Sequence, residues 1–109
     1  MLRAVICLAI LSVSGAASAA ANDAKDQGEK VFADQKCALC HSIDDKGNKK
    51  GPLDGVASKL KADEIREWIV DAKGMTAKTK AARKPVMKAY ALEKGDVDAL
   101  VAYLTTLKK

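Results

Sequence analysis

Cys37-Ala38-Leu39-Cys40-His41 is the stretch from which the rest of the chain is read. C-x-x-C-H is the pattern of c-type haem attachment. The spacing has a chemical reason: two thiols must add to two vinyl groups on one edge of a porphyrin. Two intervening residues in a helical turn set the sulfurs at about that separation, and the following imidazole falls under the iron as a proximal ligand. Other uses of these residue types fit less well. A structural zinc site takes four protein ligands. His41 is the only histidine and Cys7 the only cysteine outside the motif, so a carboxylate would have to complete the set. A thioredoxin-like C-x-x-C lies near a βαβ pattern, and no strand runs are evident.

Cys7 belongs to a different part of the chain. Met1-Leu2-Arg3 is a short positive start, Ala4 to Leu11 an apolar run, and small residues follow through Ala21. This is the layout of a secretory signal peptide. Ala17-Ser18-Ala19 and Ala19-Ala20-Ala21 both satisfy the small-x-small rule, so cleavage is expected after Ala19 or Ala21. The expected division is residues 1–21 as leader and 22–109 as one small domain. The apolar run is too short for a permanent membrane anchor. Cys7 is read as removed with the leader, which leaves no second cysteine pair for a disulfide framework.

A domain of this size has a marginal core and needs a staple. A covalent haem would serve, and the scarcity of aromatic residues (Phe32, Trp68, Tyr90 and Tyr103) fits a core whose largest ring system is not encoded. The formal charge is +5, and loss of Arg3 lowers it to +4. A basic surface steers anionic partners. Export argues against nucleic acid, and no basic amphipathic helix points to a membrane surface.

Upstream of the motif, Ala24, Gly28, Val31, Phe32 and Gln35 recur at helical steps, which predicts a helix over 22–36 capped by Asn22 or Asp23. Gly28 costs such a helix about 1 kcal/mol against alanine. It is either tolerated or kept for close approach of another helix. Downstream, residues 42–55 read as loop, with Asp44 to Gly51 a solvated turn. Pro52 is the candidate carbonyl for the ring N–H of His41, because a ligating histidine normally donates its other nitrogen to such an acceptor. An ordinary turn proline is the alternative. A helix over 63–71, capped by Asp63, carries Ile65, Trp68 and Ile69 on one face. Trp68 is expected to pack on the haem or to close the core, and its indole N–H needs a partner if buried. A haem propionate is one option.

Lys73, Lys78, Lys80, Arg83, Lys84 and Lys88 form a basic stretch without an acid among them. Such a run is usually just solvated. This one brackets Met75, read as loop, and Met87. A thioether is the expected sixth ligand of an electron-transfer haem, and spacing does not choose between the two. Val97, Leu100, Val101, Leu104 and Leu107 then form the apolar stripe of a last helix, from Lys94 or Asp96 to Leu107.

Taken together, the chain resembles a class I cytochrome c of the short bacterial type. The resemblance covers the region after the leader. It rests on Gly28 and Phe32, Cys37-x-x-Cys40-His41, Gly51-Pro52-x-x-Gly55, Trp68-Ile69, Met87-x-x-Tyr90 and Leu100-Val101-Ala102-Tyr103-Leu104. It implies an all-α fold, three to five helices wrapped around one covalent haem c, with the first and last helices crossing. It implies Met87 as axial ligand opposite His41, and Pro52 as acceptor for His41. One position departs from the family pattern: Lys88 follows Met87 where proline is common, and Pro85 stands two places before it.

The expected function is that of a periplasmic, monomeric, one-electron carrier rather than an enzyme. Cys37 and Cys40 would hold the haem, and His41 and Met87 its iron. The basic residues would guide docking to acidic patches on redox partner proteins. The alternative is a ligand-binding, sensing or peroxidase-like haem protein with a displaceable distal ligand. A third reading is the same chemistry fixed within a larger redox complex, which a large exposed apolar patch would favour.

Overall fold

The computed structural model describes residues 16–109, with side chains from residue 22 onward. The leader reading of residues 1–21, Cys7 included, lies outside the described side chains. Helix α1 spans Ala16–Asp34. Asn22 and Asp23 therefore lie inside it and cap nothing. The alanine-rich stretch before them has the highest helix propensity and contains no breaker. The helix stops two residues earlier than expected, where Lys36 takes a left-handed conformation (φ 56°).

A 3-10 turn over Cys37–Leu39 follows. Then comes a small antiparallel hairpin, β1 (Ser42–Ile43) and β2 (Lys46–Gly47), in a region expected to be plain loop. Its two turn residues, Asp44 and Asp45, have φ of 50° and 63°. Positive φ at both central residues is the twist-matched hairpin turn, and aspartate tolerates it better than most residues.

Helices α2 (Val56–Lys59), α3 (Ala62–Val70), α4 (Ala72–Thr79) and α5 (Lys94–Leu104) complete the described elements. The fold is all-α apart from the hairpin, with five helices, as the family resemblance implied. The start of α3 differs from expectation. Lys61 is the cap residue and Asp63 sits in the first turn. Glu64 reaches back to accept the Lys61 N–H at 3.1 Å, half of a capping box. Asp71 ends α3 and caps α4, accepting from the Gly74 N–H at 3.2 Å. Met75 is therefore helical, not in a loop, and is only 4% exposed.

α5 ends at Leu104, three residues short of the expected end. The hydroxyls of Thr105 and Thr106 turn back onto the carbonyls of Ala102 and Tyr103 (2.9 and 2.6 Å) and compete with continued helix. The tail then pairs with α2: the Ala57 N–H donates to the Leu107 carbonyl, and Ser58 exchanges bonds with Lys109.

The core lies where α1, α3 and α5 meet. Val31, Ile43, Ile65, Ile69, Val97, Leu100, Val101, Tyr103 and Leu104 form one buried cluster. α1 and α5 cross at Gly28. A Cβ there would overlap the Ala99 carbonyl oxygen and lie 2.6 Å from the Tyr103 Cβ, so the crossing depends on the missing side chain. One turn on, Phe32 meets Tyr103 edge-to-face with ring centroids 6.1 Å apart. The expected crossing is present, with Ala99 as a contact the sequence did not suggest. Trp68 is half-buried and stands outside the buried cluster, so it does not close the core.

Candidate haem-attachment site

The attachment motif begins where α1 stops. The left-handed Lys36 turns the chain out of the helix, and the 3-10 turn brings Cys37 and Cys40 to either end of one short coil. Every carbonyl of the pentapeptide has a donor. Cys37 O accepts from the N–H groups of Cys40 (3.1 Å) and His41 (2.9 Å). Ala38 O and His41 O share the Asn48 N–H at 3.0 Å each, and Leu39 O takes the Asn48 side-chain amide at 3.1 Å. Cys40 O accepts from the Arg83 guanidinium at 2.5 Å. Backbone polar groups held this completely keep a loop in one shape. Asn48 is the principal clamp. In the sequence it reads as part of a solvated turn, and a polar residue next to a glycine carries no stronger signal.

His41 is half-buried, and its Nδ1 lies 3.0 Å from the Gly51 carbonyl. A carbonyl only accepts, so Nδ1 carries the proton and Nε2 is left with a free lone pair. Burial pushes the imidazole below its usual pKa. The bond to Gly51 acts the other way, and the nearby Arg83 cation lowers it further. The ring is neutral at pH 7 and able to bind a metal.

The acceptor is Gly51 and not Pro52, which corrects the expectation. Pro52 pairs with Ser42 in a parallel bridge. Such a bridge bonds through the residues on either side: Ser42 N–H to Gly51 O at 3.1 Å and Leu53 N–H to Ser42 O at 2.8 Å. A residue without an N–H fits the skipped position. The Gly51 carbonyl, with two lone pairs, serves Ser42 and His41 together.

The stretch 81–93 between α4 and α5 faces this site. Burial raises the Tyr90 hydroxyl above its usual pKa, and the nearby Cys37 and Cys40 sulfurs add to that. Burial likewise raises the Cys37 thiol, which Lys88 lies close enough to oppose. Lys88 also sits over the Tyr90 ring at 5.1 Å. The stretch is anchored where the Tyr90 N–H meets the Ile69 carbonyl at 3.0 Å. Met87 is half-buried in it, whereas Met75 is packed into the protein interior. The structure thus brings Cys37, Cys40, His41, Tyr90 and the neighbourhood of Met87 together. It leaves Trp68 half-buried on α3.

These residues fit a covalent haem. Two thiols stand one short turn apart beside an imidazole whose free nitrogen is the metal-binding one. Large apolar side chains are left open on the segments concerned: Leu39 inside the motif is 71% exposed and Val86 beside Met87 is 51% exposed. Among the described residues no group of three or more His, Cys, Asp or Glu side chains is placed to hold a metal ion, so a bare zinc site finds no ligand set.

The family model for cytochrome c matches residues 26–108. The chain belongs to the cytochrome c family. Comparison with curated proteins and with solved structures gave no match. As a member of its family, this cytochrome is a haem-binding electron carrier that holds haem c covalently and works with redox partner proteins. Among the described residues no helix is long and apolar enough to cross a membrane.

Proposed function

We propose that the chain is an exported carrier of one electron with a single haem, attached through Cys37 and Cys40 and ligated by His41 and Met87. The observation that carries this reading is the His41–Gly51 hydrogen bond, which frees Nε2 for the iron. When bound, the haem supplies an iron that cycles between Fe(II) and Fe(III). The protein's residues do the rest. The thiols of Cys37 and Cys40 would each add across a haem vinyl group, sulfur to one vinyl carbon and hydrogen to the other, so their titration would disappear. Gly51 fixes the imidazole tautomer and plane. Met87 would be the second residue to hold the iron and would keep outside ligands from it. Trp68, half-buried on α3, offers an apolar wall to the ring.

Lys73, Lys78, Lys80, Arg83, Lys84 and Lys88 are all exposed. This supports a docking role toward acidic patches on donor and acceptor, in contacts that are weak and brief. Charge reversal at Lys80 and Lys84 is expected to slow electron exchange with an acidic partner at low salt. Kinetics independent of ionic strength would remove the docking role. Residues 1–21 as a cleaved leader, periplasmic residence and a monomeric state complete the proposal. The mass of the exported protein and its elution volume check them.

The test of the centre is the visible spectrum of the exported protein, oxidised and reduced, beside Met87→Ala. The carrier reading expects low-spin haem with a methionine–iron band that the variant loses. High-spin haem that binds carbon monoxide readily would overturn it in favour of a sensor or a peroxidase-like enzyme. Lys88 in place of proline and the irregular backbone of 81–93 make that the reading to exclude.

A further inference from the structure

Arg83 stands apart from the rest of the basic stretch. Its Nη2 donates to the Cys40 carbonyl at 2.5 Å, across a sequence separation of 43 residues. Its guanidinium is seated on Gly51. A Cβ on Gly51 would overlap Nη1 of Arg83 and the Cys40 carbonyl oxygen, and would lie 2.7 Å from the Arg83 Cζ. The seat exists because residue 51 is glycine. Gly51 is also the residue whose carbonyl orients His41. One cation therefore rests against both the second attachment cysteine and the histidine's acceptor. Among the described residues the ion pairs involve Arg66, Lys94 and Asp98, and no carboxylate reaches Arg83.

We propose that Arg83 is a positioning residue of the centre: seated on Gly51, it ties the 81–90 segment to the attachment motif and biases the electron equilibrium toward the reduced state. This rests on the reading that His41 ligates the iron. Two effects of the same sign act here. Reduction brings in one electron, from a partner or a mediator, and no proton, so the centre loses one positive charge. A fixed cation nearby favours that lower charge. The cation also draws electron density from the Gly51 carbonyl, which weakens its pull on the Nδ1 proton. The imidazole becomes a poorer donor to ferric iron. Arg83 is solvent-exposed, so the bias is moderate and falls with added salt. Arginine suits the place because its fork can donate to Cys40 O while its plane covers Gly51, which a lysine ammonium cannot do.

The experiment is a spectroelectrochemical titration of the haem-loaded protein against a mediator dye, at low and high salt, for wild type, Arg83→Gln and Arg83→Lys. Hydrogen exchange of amides 81–92 is followed on the same samples. At a fixed applied potential and low salt, Arg83→Gln should lower the ratio of reduced to oxidised protein about two- to fivefold. Arg83→Lys should recover most of that ratio, and the low-spin spectrum should be kept in all three. Both variants should speed exchange over 81–92, because both lose the fork. An unchanged ratio in Arg83→Gln overturns the proposal. So do equal losses in Gln and Lys, which would mean a clasp without an electrostatic role. Failure of the His41 reading is separable, since the wild-type spectrum would then lack a nitrogen-ligated low-spin haem.

Discussion

The crossing of α1 and α5 and the face built by the attachment motif with residues 81–93 use opposite means of order. At the crossing, apolar side chains close on one another and a glycine lets two backbones touch; Gly28 lies so near Ala99 and Tyr103 that no side chain fits there, and Phe32 meets Tyr103 edge-to-face. The second region is held by hydrogen bonds to loop carbonyls, from Asn48 and Arg83 above all, and leaves Leu39 and Val86 open. The first region is complete in itself. The second leaves apolar side chains open, and a covalently bound haem fits both its chemistry and that uncovered surface. A small domain can divide its labour this way, with one half supplying packing and the other holding a cofactor that supplies the missing core.

The two methionines give the largest expected contrast. Met75→Ala opens a cavity in packed protein and should cost about 2–5 kcal/mol in denaturant unfolding, with the methionine–iron band intact. Met87→Ala should lose the band and cost far less stability. If the band follows Met75, the assignment of the open face is reversed.

Gly28→Ala is the next test, on the packed side. On a free helix surface the change would stabilise by about 1 kcal/mol. Here the new methyl has to displace the Ala99 carbonyl, and a net loss of about 1–3 kcal/mol is expected. That corresponds to roughly 4–8 °C of melting temperature per kcal/mol in a domain of this size. A rise in melting temperature would mean that the crossing is looser than described.

The smallest effect concerns the rim of the packed side, where Asp98 on α5 meets Lys94 at 2.8 Å and Arg66 of α3 at 2.6 Å. Hydrogen bonds from Lys94 and Arg66 hold its carboxyl below the usual carboxylate range. Because the folded pKa is depressed, its contribution is present above the ordinary value near 4 and is lost as pH falls through the folded pKa. Wild type should therefore be slightly more stable than Asp98→Asn at neutral pH. The two should converge in acid, as followed by thermal unfolding from pH 7 to 2. A gap that persists at the lowest pH would show that the carboxylate's charge is not its source.

Much of this was legible in the residues because the underlying constraints are local or covalent. The C-x-x-C-H pattern is short and local, so the candidate site stands out in the chain. The stripe Val97, Leu100, Val101 and Leu104 repeats at helical period because one face of α5 is buried. Other features were hidden for identifiable reasons. α4 has little periodicity, with Ala72 and Met75 its only buried residues, and its cap, Asp71, also ends α3. The hairpin strands are two residues each, too short for any alternation to show. The shift from Pro52 to Gly51 as the acceptor follows from the register of a single parallel bridge, which no linear spacing encodes.

By itself, then, the sequence determined the family and the helical class, through the C-x-x-C-H motif and stripes of helical period, and the family resemblance implied the crossing of the terminal helices. Tertiary structure alone decided which carbonyl orients His41, that Asn48 and Arg83 hold the motif, and that Met75 is packed away while Met87 stays half-buried. Those choices depend on distances between residues far apart in sequence, such as Cys40 and Arg83, and only the folded chain sets them.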